Sequence, residues 1–181
     1  MLGCTPKGRN TEQHDIYFTV AASIADTVQG IKDFWPEANG KIHIDAWREV
    51  TQVDGFAVEV HSRENLLSDA AAAEEVKLFF INLGGYKENE FDEFHYKMLI
   101  AATEKSAAIR TAKESAFYRH TGFQGAPSHI DDKFGVDVDD INQIEDILPA
   151  AIKEKYAIRL IPGGSARQDL LHLGYFKLSE L

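Results

Sequence analysis

The chain is poor in cysteine. Cys4 is the single one among 181 residues, so no disulfide can form within the chain, and a reducing cytoplasm is the expected location. Long apolar runs are also missing. No stretch approaches the roughly 20 consecutive apolar residues that a membrane-spanning helix needs. The opening residues Met1-Leu2-Gly3-Cys4-Thr5-Pro6 have no basic region followed by an apolar core, which argues against a secretory signal. Positive charge is scarce: 19 Lys and Arg stand against 29 Asp and Glu, giving a formal net charge of −10. No Lys/Arg cluster exists to displace counterions, so nucleic acids and anionic membranes are not expected partners.

What remains is the composition of a soluble globular protein, 44% hydrophobic and 27% charged, long enough for one sizeable core or two small lobes. Within it, rare features recur in the same order. Leu2-Gly3 returns as Leu83-Gly84, and Glu12 and His14 return as Glu93 and His95, both at an offset of 81 residues. Thr11 and Asp92, both suited to helix N-caps, precede the two Glu-x-His pairs. His43-Ile44-Asp45 returns as His129-Ile130-Asp131, and Phe56-Ala57-Val58-Glu59-Val60 is matched by Tyr156-Ala157-Ile158-Arg159-Leu160. The order of these features predicts a tandem duplication.

The residue pattern predicts the fold of each copy. His14, Tyr17, Ala21, Ile24, Val28, Ile31 and Trp35 follow steps of three and four, the stripe of an amphipathic helix, which Pro36 and Gly40 would end. A strand is expected through 41–47. Asp54-Gly55 between two short apolar segments is a hairpin signal. In copy two the same reading places a strand at 77–82, a helix over about 93–117, a strand through 129–131, a short helix interrupted near Pro149, and a strand at 156–161. The expected class is therefore α+β: tandem β-α-β-β units related by a pseudo-twofold axis, with helices packed on sheet. Repeat one covers 1–61, with its first strand truncated; a linker covers 62–76. Repeat two covers 77–162 and carries an insertion at 139–153. A tail at 163–181 has strand-like composition around Leu173 to Leu178.

Gly3-Cys4-Thr5-Pro6-Lys7-Gly8-Arg9, Glu12-Gln13-His14-Asp15, His43-Ile44-Asp45-Ala46-Trp47 and Asp54-Gly55-Phe56 resemble a bacterial family of unknown function built from one or two copies of a short domain. The resemblance implies two copies here and brings no activity. Copy two departs from the pattern at Tyr96, where copy one has Asp15, and at Lys133, where copy one has Trp47.

The candidate chemistry lies in the repeated polar residues. Glu12, His14, Glu93 and His95 are the candidate catalytic groups, with each histidine expected to be buried in the first turn of a helix. His43 and Asp45 should share one face of a strand, continued by Trp47, and His129 and Asp131 should do the same; these are candidate ligand-binding residues. A carboxylate beside an imidazole serves equally as a metal ligand pair, an acid/base pair or a structural contact. His14, His43, Asp45, His95, His129 and Asp131 are the candidate metal ligands. A β-α-β crossover would put His14 and His43 at opposite strand ends, so one ion shared by the two requires antiparallel strands. Lys7 and Arg9, in a loop expected to lead into a helix, are candidate anion contacts. The loop fails as a nucleotide-binding motif because Arg9-Asn10 stand where Lys-Ser/Thr is required. No motif requires a cofactor, although the donor set accepts a divalent metal. The favoured reading is a non-catalytic small-ligand-binding or assembly module. The alternative is a metal-assisted hydrolase or lyase. An unpaired strand edge in the truncated copy would invite a homodimer.

Overall fold

A computed structural model of the chain describes residues 1–65, 75–86, 89–114, 136–164 and 169–181. Among these residues it is a mixed α/β structure with three small sheets, all pairings antiparallel, and short helices. The first sheet has the order β10-β3-β1-β2, where β1 is Leu2–Cys4, β2 is Gln13–Asp15, β3 is His43–Trp47 and β10 is His172–Lys177. The second has the order β4-β5-β9, from Gln52–Val53, Phe56–Ser62 and Tyr156–Pro162. The third has the order β7-β6-β8, from Phe94–Ala102, Lys77–Gly85 and Val136–Gln143. The helices are α1 (Val28–Phe34), α2 (Lys105–Lys113), α3 (Ile144–Ile147) and α4 (Ala150–Lys155). No helix among the described residues is long and apolar enough to cross a membrane.

Strand β6 explains the most apolar run in the chain. Phe79, Ile81 and Leu83 enter one core with Ile100, Ala102 and the small α2 residues Ala108 and Ala112. Leu78 on the opposite face enters a second core with Val53, Leu160, Ile144 and Leu148. A strand buried on both faces carries no alternation, which is why Lys77 to Gly85 reads as continuous apolar sequence. A third core lies under the first sheet, where Leu2, Cys4, Ile42 and Ile44 meet Ile31 of α1 and Leu178.

The expected order of elements is corrected at the histidines. Both predicted helices begin too early. The residues around His14 and His95 are strands β2 and β7, and the helices start only at Val28 and Lys105. In β7 the deciding period is two: Met98, Ile100 and Ala102 face the first core, while Leu99 and Ala101 face the second. In the N-terminal part of the chain, Tyr17, Ile24, Val28, Ile31 and Trp35 do pack against one core as the stripe required, yet only 28–34 is α-helical. Burial at spacings of three and four does not by itself dictate helix.

The Asp54-Gly55 hairpin is present. Asp54 (φ 51°) and Gly55 (φ 82°) are both left-handed, as the tight turn joining β4 to β5 demands. The Asp54 carboxylate also accepts a hydrogen bond from Ala101 N at 2.9 Å, tying the second sheet to the third. Strand β1 has three residues. The tail forms β10 on the outer side of β3, where it extends the sheet without replacing β1. Asp169 anchors it, accepting hydrogen bonds from Thr51 N at 3.0 Å and Thr51 Oγ1 at 2.5 Å.

Candidate metal centre

Antiparallel pairing changes the geometry on which the separation of His14 and His43 rested. Gly3 in β1 lies directly opposite His14 on one side and His43 on the other. Directly opposed residues share a sheet face, so both imidazoles rise on either side of a residue with no side chain. Asp45 is two residues beyond His43 on the same face of β3, and Glu12 immediately precedes β2. The opposite face of β1 is the core: Leu2 and Cys4 are buried there.

The four polar side chains converge. His43 Nε2 is 3.0 Å from Asp45 Oδ1 and 3.2 Å from Glu12 Oε1. His14 Nε2 is 3.5 Å from Asp45 Oδ2 and 3.5 Å from Glu12 Oε2. Each imidazole thus faces both carboxylates. His43 is buried and Asp45 is half-buried, while Glu12 and His14 are each 42% exposed, so the cluster opens to solvent on the β2 side. Asp45 Oδ2 is buried and has no hydrogen-bond partner. A Cβ on Gly3 would lie 2.5 Å from Asp45 Oδ2 and 2.6 Å from His43 Nε2. The glycine of the Leu-Gly pair is therefore required by space: Gly3 has no positive φ, and the side chains folded over it leave no room.

These separations suit a coordination shell. Ligand atoms about 2.1 Å from one ion stand about 3.0 Å apart along an octahedral edge and about 3.4 Å apart along a tetrahedral one. The four nitrogen–oxygen distances span 3.0–3.5 Å, each carboxylate turning one oxygen to His43 and the other to His14.

Aromatic groups from β10 border the cluster. Tyr175 stacks on His43 with ring centres 4.1 Å apart, and His172 stacks on Trp47 at 3.8 Å and 3°. Trp47 therefore takes part in a ring stack beside the cluster. Tyr175 and His172 were not among the sequence candidates, because pairing between residues so distant in the chain has no local signature.

In the third sheet, Gly84 lies opposite His95 and Asp137, as Gly3 lies opposite His14 and His43. By register, Asp137-Val138-Asp139 occupies the strand position of His43-Ile44-Asp45. His129 and Asp131, the sequence candidates for that position, lie outside the described residues. Glu93, His95 and Asp139 each offer a ligand atom, all within 4.8 Å of one another.

Three expectations are corrected here. His14 and His95 are 42% and 37% exposed, not buried in the core. No helix N-terminus acts on either, since both lie in strands. Lys7 and Arg9 are exposed in the turn joining β1 to β2, so the loop leads into a strand and offers an anion no helix N-terminus. Cys4 is buried, and burial, with the charge of Glu12 as a lesser cause, pushes its thiol above the ordinary range.

Residues 9–60 match a Domain of Unknown Function, DUF1543. That segment contains Glu12, His14, His43 and Asp45 but stops short of the second half of the chain. The fold as a whole is similar to the crystal structure of a protein Il1583 from Idiomarina loihiensis. The TM-score is 0.63, with 21% identity over 98% of this chain and 93% of that one. No curated protein matches the chain in sequence.

Proposed function

We propose that the protein binds a divalent transition-metal ion on its N-terminal sheet, with Glu12, His14, His43 and Asp45 as ligands. The observation that carries this reading is the convergence of two imidazole nitrogens and two carboxylates, at coordination-edge distances, over a glycine that a side chain would obstruct. Two nitrogens and two carboxylates are a borderline donor set that suits Zn²⁺, Fe²⁺ or Mn²⁺ better than Ca²⁺. A bound cation would also satisfy the buried Asp45 Oδ2. The module on this reading is a metal-binding one. The alternative of a metal-assisted hydrolase or lyase draws on the exposure of Glu12 and His14, which leaves one side of the ion reachable by water.

The reading includes duplication. Strands β2-β1-β3 and β7-β6-β8 share order, sense and a glycine opposite a histidine. In addition β5 pairs with β9 antiparallel about Glu59 and Arg159, residues that the repeat alignment equates, as a local twofold axis requires. A homodimer is part of the proposal too: Leu171, Leu173 and Tyr175, on or beside the edge strand β10, are 57–72% exposed.

The test is metal analysis of protein purified without chelators, then thermal melts with Zn²⁺, Mn²⁺ and Fe²⁺. Free ion at 100 times Kd stabilises by about 2.7 kcal/mol, a Tm rise of roughly 5–10 °C for a chain of this size. Loss of the Zn²⁺-induced shift in His14→Ala and His43→Ala is expected. No bound ion, and no shift with any of the three metals, overturns the proposal.

A further inference from the structure

The third sheet repeats the arrangement of strands with a different set of donors. Glu93 Oε2 is 3.8 Å from His95 Nε2, and Asp139 Oδ2 is 3.1 Å from His95 Nδ1. The register position of His43 is taken by Asp137. A Cβ on Gly84 would collide with Asp139 Oδ2, so this carboxylate also folds over a bare glycine. Gly84 has no positive φ, so here too the glycine answers a need for space.

A second observation points to a ligand. Asn82, 9% exposed, lies on the same strand, two residues before Gly84. Its Nδ2 is 3.3 Å from His95 Nδ1 and 3.2 Å from Asp140 Oδ2, while its Oδ1 is buried without a hydrogen-bond partner. A buried amide oxygen left unpaired carries a desolvation penalty, which a cation or its coordinated water within reach would relieve. Tyr86 completes the surround, its hydroxyl donating a hydrogen bond to Glu93 and so orienting that carboxylate.

We infer that Glu93, His95 and Asp139 form a second cation site, richer in oxygen than the first and suited to a harder divalent ion of the Mn²⁺ class. The chemistry follows from the donors. One imidazole with carboxylates and a nearby amide oxygen favours Mn²⁺ over Zn²⁺ relative to a site with two imidazoles. The protein would thus carry two sites of unequal hardness on two related sheets. The second site uses none of the residues of the first, so it stands or falls separately.

The experiment is Mn²⁺ titration of the full-length protein, read by the loss of the free-ion electron paramagnetic resonance signal. It is run on wild type, on a His14→Ala/His43→Ala double variant, and on Asp139→Asn and His95→Ala made in that background. The double variant should still bind one equivalent of Mn²⁺. Asp139→Asn, which keeps shape and removes charge, should weaken that binding at least tenfold, and His95→Ala should do so too. Unchanged melting temperatures without metal would show that the variants fold. Mn²⁺ uptake equal in the double variant and in its Asp139→Asn and His95→Ala derivatives overturns the second site. Uptake absent from the double variant also overturns it. Uptake lost only on changing Asp139 or His95 supports it, whatever happens at the first site.

Discussion

Gly3→Ala separates a glycine kept for space from one kept for backbone freedom. The new Cβ would stand 2.5 Å from Asp45 Oδ2 and 2.6 Å from His43 Nε2. Ordinary contact begins near 3.4 Å, so both donors must retreat by about 0.8–0.9 Å, whereas a metal–ligand distance tolerates about 0.2 Å. At least one donor therefore leaves the ion. Disturbing groups that merely orient ligands costs 10–100-fold in affinity, so displacing a ligand should cost about 100-fold or more, roughly 2.7 kcal/mol. Stability without metal should change far less clearly. Overpacking costs about 1–3 kcal/mol, and removing a glycine from a strand returns about 0.5–1 kcal/mol. Competition against a chromophoric chelator gives the affinity, and circular dichroism melts give the stability. Wild-type affinity in a folded Gly3→Ala protein would refute the claim that the donors close over this residue.

Other outcomes follow from single groups. Asp45→Asn should leave the metal-free melting temperature unchanged or higher, because it removes a carboxylate with one buried oxygen that no hydrogen bond satisfies, and should abolish the Zn²⁺-induced shift; a metal-free drop of many degrees would instead make Asp45 a structural partner of His43. Cys4 should react slowly with iodoacetamide at pH 8 when folded and quickly in denaturant, since its thiol is buried and its pKa raised. The sign for stability follows: an acid with a raised folded pKa contributes stability below its unfolded value, about 9, and loses it as pH climbs towards the folded value. A Cys4→Ser protein should show a shallower alkaline fall, measurable by melts between pH 8 and 10. Asp169→Ala removes the carboxylate that accepts from Thr51 N and Oγ1; in this exposed setting it should cost about 1 kcal/mol, a Tm loss of 2–4 °C. Light scattering should show a dimer that Leu173→Glu on β10 converts to monomer.

Much of the fold was readable where the signal was local. Asp54-Gly55 specified its turn through two left-handed residues, and β6 announced itself by a run of apolar residues buried on both faces. The site was readable in composition but not in arrangement. Glu12, His14, His43 and Asp45 were all named as candidates, yet a helix reading of 14–35 set His14 and His43 apart. The reason is physical: Tyr17, Ile24, Val28, Ile31 and Trp35 are core residues at helical spacing, but Gln13–Asp15 pairs with β1 and residues 16–24 reach the core without regular structure, so α-helix is confined to 28–34. Later in the chain, the string His129-Ile130-Asp131 is like His43-Ile44-Asp45 in sequence. Val136-Asp137-Val138-Asp139, which alternates as a strand should, holds the register instead. Strand pairing is a non-local choice, and composition within a window cannot report it.

The seating of β10 on β3 bears on how the chain is made. Trp47 pairs with His172 and His43 with Lys177, contacts between residues at least 125 positions apart. Synthesis at 5–20 residues per second leaves β3 waiting roughly 6–25 s for its partner. During that interval its outer edge has backbone donors and acceptors with no strand beside them, and His43 lacks the Tyr175 ring that stacks on it. The sheet that holds β3 cannot be completed until β10 has been made. Its edge is exposed to other chains throughout that interval, and a holdase that shields it should raise the yield of folded protein.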